Sequence, residues 1–277
     1  MPDMERLASL VRTGPALFDS VTRSGHSVSV DGEAGGGPTP LELLLVSLAS
    51  CAGATVEAVI EKMRGELAGL RVTVDAVRAE KVPRVWSGID LCFVIRCSLE
   101  RSRVERALDV TDRTCPVSVM LEPGTRLGRT LITVERVEAA VTRPLRRRLL
   151  RPHQSLASLQ VAGEDDGESA WLAAFDGDGV VGTAGIVAEP APDGGPGWRV
   201  RAMAVEQALR GRGVGSELLA GCLDHAGGRP ERTVWCSARV PAVDFYRGAG
   251  FVVVGEVYEE ADIGPHVTMV LAGRASR

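Results

Sequence analysis

The sequence predicts an α+β protein folded as two domains in one chain, residues 1–137 and 138–277. Three observations carry that expectation. The chain has 277 residues, more than one ordinary domain holds, so two domains of about 130–140 residues are the default. Strand-like alternation and helix-like periodicity follow each other along its whole length. The chemistry-bearing residues also form two sets that do not belong to one reaction: Cys51 and Cys115 in the first half, and the glycine-rich run Arg210–Gly215 with Tyr246 in the second.

The elements follow in order. Residues 26–31 alternate as a strand. The glycine-rich run 32–40 then ends on helix-start chemistry, with Thr39 as N-cap and Pro40 at the first helical position. Residues 41–63 are apolar almost all round before turning amphipathic, and a helix of that kind is expected to be enclosed by its neighbours. Strands are read at 70–78 and 88–97, a helix at 102–113 and a strand at 126–137. The arginine-rich stretch 139–151 reads as a solvated helix face or linker at the start of the second half. Beyond it come strands at 170–175 and 180–188, split by an Asp-Gly turn, and a strand at 198–205. A helix at 214–226, a strand at 233–237, a helix at 241–249 and a strand at 251–258 complete the pattern.

Composition narrows the function classes. With 45% hydrophobic and 25% charged residues the chain has the balance of a soluble globular protein. Its net charge of -4 gives no general attraction to nucleic acid or an anionic membrane. Residues 1–5 carry no basic, apolar leader pattern, and the apolar run 41–54 is too short to span a bilayer. The six cysteines stand without C-x-x-C pairs, so neither a metal site nor a secreted disulfide framework is expected. A cytoplasmic protein without nucleic-acid or membrane partners is the expectation. Cys92 and Cys97, five apart on one strand, should point to opposite faces as packing residues.

Cys115 precedes Pro116, which places it at a helix N-terminus, where N–H groups favour a thiolate. Cys51 lies inside a helix, where burial raises a thiol pKa. The run Gly37-Pro38-Thr39-Pro40-Leu41-Glu42-Leu43-Leu44-Leu45 with Ser47-Leu48-Ala49-Ser50-Cys51, and Thr114-Cys115-Pro116-Val117, resembles the paired motifs of the OsmC/Ohr family over residues 15–135. That resemblance implies an α+β fold in an intertwined homodimer and the reduction of organic hydroperoxides by a thiol pair. By the same likeness Cys51 is the attacking thiolate, Cys115 the resolving thiol and Glu42 a site carboxylate, with a thiol reductant closing the cycle. Position favours Cys115 as the more acidic thiol and the resemblance favours Cys51 as attacker. For the arginine of such a site, Arg12 and Arg23 are both open.

In the second half, a strand ending at Val205, the loop Arg210-Gly211-Arg212-Gly213-Val214-Gly215 and a following helix make an anion cradle of backbone N–H groups. Together with Met203-Ala204-Val205, Phe245-Tyr246 and Gly250-Phe251, this order is similar to the GNAT acetyltransferases over residues 138–277. The resemblance implies a mixed-sheet α/β fold and acetyl-CoA as cosubstrate, with its pyrophosphate on residues 210–215 and its pantetheine along the backbones of Met203 and Val205. Tyr246 would then protonate the leaving thiolate, an amine would be the acceptor, and no metal is implied. Glu206 or a water could be the general base, and His266 an acceptor contact. The combined reading is a bifunctional hydroperoxide reductase and N-acetyltransferase. The alternative makes the first half a non-catalytic dimerisation or thiol-sensing module.

Overall fold

The computed structural model describes residues 8–229, 231–260 and 263–272; the segment read for a leader, residues 1–5, lies outside them. Strands β1 (Ala8–Gly14), β2 (Leu17–Thr22) and β3 (Ser27–Asp31) form a small antiparallel sheet of their own. Helix α1 (Pro40–Lys62) follows, then β4 (Leu67–Arg78), β5 (Trp86–Cys97), α2 (Arg101–Thr114), α3 (Pro116–Leu121) and β6 (Arg126–Val137). The rest runs α4 (Ala139–Leu150), β7 (Ala170–Asp176), β8 (Gly179–Ala188), β9 (Gly197–Val205), α5 (Val214–Gly227), β10 (Thr233–Arg239), α6 (Val243–Gly248), β11 (Phe251–Glu260) and β12 (Gly264–Leu271). The architecture is an α+β unit followed by a mixed-sheet α/β unit.

One sheet of nine strands runs through both units in the order β11-β12-β10-β9-β8-β7-β6-β5-β4. The strand between them is shared. Arg126 to Thr133 of β6 pairs in parallel with Gly88 to Ile95 of β5. Ile132 to Val137 pairs antiparallel with Asp176 to Trp171 of β7. A linker between the halves is therefore replaced by a continuous ladder.

Side chains on β5 and β6 alternate between two cores, as a period-two strand requires. Ile89, Leu91, Phe93 and Leu131 face α1 and α2. Cys92, Val94, Ile132 and Val134 face the other way, into a core completed by Leu218 and Cys222 of α5. Cys97 packs with the first core, so Cys92 and Cys97 do point to opposite faces.

Two expectations change. Helix α1 buries only Leu48, Ala52, Gly53, Val56 and Ile60, and Val46 on its other side is 61% exposed. It is also long and apolar enough to cross a membrane, though the β4–β5 sheet covers one side of it. The helix is thus not enclosed within one chain. The arginine-rich stretch is likewise only partly a solvated face, with Arg147 and Arg148 exposed. Arg146 of α4 is buried, pairs with Glu164, donates to the Leu159 carbonyl at 2.5 Å and lies over the Trp171 ring at 4.5 Å. Arg143 pairs with the same carboxylate, which ties α4 to the loop before β7.

Candidate functional site

The structure brings Cys51 and Cys115 together. Helix α1 packs on α3 and delivers Cys51, while Cys115 is at once the C-cap of α2 and the N-cap of α3. Cys51 is partly exposed and Cys115 is fully buried. The two thiols hydrogen-bond to each other. Burial works to raise the Cys115 pKa, but the Ser118 hydroxyl and N–H, the Cys51 thiol and the Val117 N–H all donate to it and bring it below the ordinary thiol value. For Cys51 the Val117 N–H lowers the pKa, yet burial and the bond to Cys115 outweigh it and the thiol lies above its ordinary value. Cys115 is therefore the more acidic thiol of the pair. Arg12 stands exposed on β1.

Glu42 is placed elsewhere, and its assignment to the thiol site is corrected for this chain. Its carboxylate accepts from the Thr39 N–H at 2.7 Å and from the Thr39 hydroxyl at 2.8 Å, closing a capping box with Thr39 as N-cap. Those bonds hold it below the usual carboxylate range. Nine residues along one helix put Glu42 about 13 Å from Cys51 and on the opposite side.

In the second half the loop after β9 forms the predicted cradle. Gly213 is the N-cap of α5 at φ 83° and Gly211 lies at φ 77°, both in the left-handed region that glycine enters without penalty. A Cβ on Gly215 would stand 3.4 Å from the Phe245 ring, so the helix start lies in close contact with α6. Arg210 Nε donates to the Val205 carbonyl at 3.1 Å, and Arg212 pairs with Asp75 of β4 at 3.0 Å. The N–H groups of Val214 and Gly215, in the first turn of α5, have no intrahelical partner, which suits an anion. The residues present fit a pyrophosphate.

The adjoining cleft arises from two irregularities in β9. Its ladder with β8 shifts register between Thr183 and Gly185, and Ala202 takes φ 52°. Its parallel pairing with β10 covers only Gly197 to Val200, so the strands part from Arg201 onward. The gap opens a cavity of about 780 Å³ lined by Ala202, Met203, Tyr246 and His266 among others. Val205 lies beyond it, beside the glycine loop. Tyr246 is 5% exposed, edge-on to Phe245 and Phe251. Burial, reinforced by Cys236 and Cys222, raises its phenol well above the usual value and keeps it protonated.

His266 also lines the cavity. Its Nδ1 lies 2.7 Å from the Gly264 carbonyl, which can only accept, so Nδ1 carries a hydrogen and Nε2 is left out of that bond. Glu206, by contrast, pairs with Arg148 and does not line the cavity. Sequence reading missed Ser118, which a donor three residues after an N-cap could have signalled. It also missed Glu189, held by Arg199 at 2.6 Å and Arg201 at 2.8 Å; those two arginines alternate on one strand and demand an acid between them. Among the described residues no cluster of three His, Cys, Asp or Glu that could hold a metal occurs.

Comparison with known proteins separates along the same division. The OsmC-like protein family matches residues 32–128, and the acetyltransferase (GNAT) family matches residues 137–251. Protein YhfA of Escherichia coli is 31% identical over 108 residues, covering 38% of this chain and 81% of YhfA. The uncharacterized N-acetyltransferase YitI of Bacillus subtilis is 27% identical over 150 residues, covering 53% of this chain and all (100%) of YitI. The crystal structure of Escherichia coli ElaA aligns at a TM-score of 0.43 and 23% identity, covering 51% of this chain and 99% of ElaA. The first half of the chain belongs with the OsmC-like proteins, and its second half matches the acetyltransferase (GNAT) family over residues 137–251.

Proposed function

We propose that this chain is a bifunctional enzyme, an acetyl-CoA-dependent N-acetyltransferase joined to a thiol-dependent reductase of organic hydroperoxides. For the transferase, the observation that carries the reading is a buried, neutral Tyr246 on the cavity wall where β9 and β10 part. Acetyl-CoA, when bound, supplies the reactive thioester. The N–H groups of the 210–215 loop hold its pyrophosphate, with Arg210, Gly211, Arg212, Gly213, Val214 and Gly215 shaping the cradle. The backbones of Met203 and Val205 align the pantetheine arm. His266 Nε2 takes the proton from the attacking amine, and the Tyr246 phenol gives its proton to the departing thiolate.

In the first half the hydrogen-bonded Cys51–Cys115 pair supports redox chemistry. Cys51, the thiol solvent can reach, passes its proton to Cys115 and attacks the hydroperoxide oxygen. The O–O bond breaks, the alkoxide leaves and takes up a proton, and Cys51 becomes a sulfenic acid. Cys115 then attacks that sulfur, losing its proton as water departs, and a disulfide forms. Two electrons from a thiol reductant restore the pair. A second copy of the chain would cover the exposed apolar side of α1 and Leu10 and Val11 of β1, which are 60% and 66% exposed. That supports a soluble homodimer built through the first half.

Stopped-flow consumption of cumene hydroperoxide and calorimetric titration with acetyl-CoA test the two activities separately. Loss of hydroperoxide consumption in Cys51→Ser and micromolar acetyl-CoA binding are expected. Thiols that stay reduced under stoichiometric hydroperoxide refute the reductase, and absent acetyl-CoA binding refutes the transferase.

A further inference from the structure

The cavity beside Tyr246 is unusually cationic for a site whose acceptor is an amine. Five arginines line it (Arg146, Arg151, Arg199, Arg201 and Arg239) against two carboxylates, Glu189 and Glu260. Glu189 is shared by Arg199 and Arg201, so one charge of that trio remains unbalanced. The Arg199 Nε is buried with no hydrogen-bond partner among the described residues. Arg146 is matched outside the cavity by Glu164, which also serves Arg143. Arg151 reaches Glu260 only at 3.4 Å. Arg239 donates one Nη to the Leu150 carbonyl at 3.2 Å, and among the described residues it meets no carboxylate.

These charges do not belong to the cosubstrate's phosphates. The 210–215 loop lies outside the cavity lining, at the start of α5. A surplus of guanidinium donors in a partly enclosed, low-dielectric space calls for an anion, and arginine forks match the oxygens of carboxylate or phosphonate. Arg239 also sits directly opposite His266 in the β10–β12 ladder. Directly paired residues carry their Cβ atoms about 5 Å apart on one face. The oxyanion holder and the proton acceptor are thus neighbours.

We propose that the acceptor is a short amine that also carries an oxyanion, bound with its acid on Arg239 and Arg151 and its amine toward His266 and Tyr246. The proposal rests on the transferase reading above. An amino group alone, or a polyamine, would enter this cavity against its charge, whereas an amino acid-like molecule brings the missing negative group with it.

Four amines of matched length test this with the full chain and saturating acetyl-CoA: β-alanine, 2-aminoethylphosphonate, propylamine and 1,3-diaminopropane. Coenzyme A release, corrected for hydrolysis, is the readout. The two acids are expected to exceed propylamine and the diamine at least tenfold in kcat/KM, and the better acid distinguishes carboxylate from tetrahedral oxyanion. In Arg239→Gln the KM for the preferred acid should rise at least tenfold with kcat changed less, and Arg239→Lys should recover part of the loss. Unchanged acetyl-CoA binding in both variants shows that they fold. Equal or better use of propylamine or diamine, no release with either acid, or an unmoved KM in Arg239→Gln overturns the proposal. Failure of the unmodified chain to bind acetyl-CoA would instead overturn the transferase reading beneath it.

Discussion

Glu217 of α5 and Arg96 of β5 form a part-buried ion pair, Oε1 to Nε 2.9 Å, that joins the two halves. The same carboxylate meets Arg71 of β4 at 3.4 Å, and Arg96 extends to Asp224 at 2.6 Å. Gly69 of β4 leaves room for it, because a Cβ there would lie 1.8 Å from Glu217 Oε1. Glu217→Ala removes this shared carboxylate from Arg96 and Arg71 while Arg96 keeps Asp224, so stability should fall by about 1–3 kcal/mol. Both halves should melt together, in one transition followed by tryptophan fluorescence and by acetyl-CoA binding. Two separated transitions would contradict the coupling.

The cosubstrate loop should be sensitive at Gly213. A side chain at its left-handed φ of 83° costs roughly 1–2 kcal/mol, and a Cβ would also press on Arg71 Cδ at 2.9 Å. Gly213→Ala is expected to weaken acetyl-CoA binding about tenfold by calorimetry.

Tyr246→Phe removes the proposed acid and nothing else of the core ring. A positioned general acid contributes about 10²–10⁴-fold, so kcat should fall within that range while the acetyl-CoA Kd stays near its original value. An acid must be protonated to act, and burial has raised this phenol well above its ordinary value of 10.0. The alkaline side of the kcat profile should therefore show no loss from tyrosine ionisation where an exposed phenol would ionise. A loss at ordinary phenol pH would show that Tyr246 is not the buried acid.

The thiol pair makes a prediction with a sign. Cys115 is held below the ordinary thiol value and Cys51 above it. Thiolate absorbance at 240 nm should accordingly first appear below pH 9, belong to Cys115 and vanish in Cys115→Ser. Cys51→Ala, which removes a donor to Cys115, should shift that absorbance to higher pH rather than abolish it. The reverse pattern would exchange the two thiols.

Much of this was readable in the chain. The core strands around Leu91–Val94 and Ala170–Ala174 announce themselves because burial on both faces selects apolar residues at every position. Thr39, Pro40 and Gly213 mark helix starts by chemistry that is local. Strands β1 and β2 were not legible: their side chains are mostly exposed, so no core imposes alternation on them. Strand β12 was hidden by Gly264-Pro265 at its start, punctuation that usually ends a strand, although it lies between β10 and β11. The site was legible where one motif holds the residues, as in Arg210–Gly215. Glu42 misled because a carboxylate in a helix's first turn suits a capping box as well as it suits chemistry. Arg239 and His266 are 27 positions apart, and only the β10–β12 register makes them neighbours.

The twelve residues of β6 leave no place to cut the molecule in two. Severing the chain after Val137 would strip the transferase of its first strand and expose β7 as an unsatisfied rim, while the thiol half would keep a strand with one side unclaimed. Exchanging either half for a substitute would require the newcomer to accept the same hydrogen-bond register from Ile132 to Val137. The two halves are therefore inherited as a single object, and a lesion in this one strand would disturb both at once.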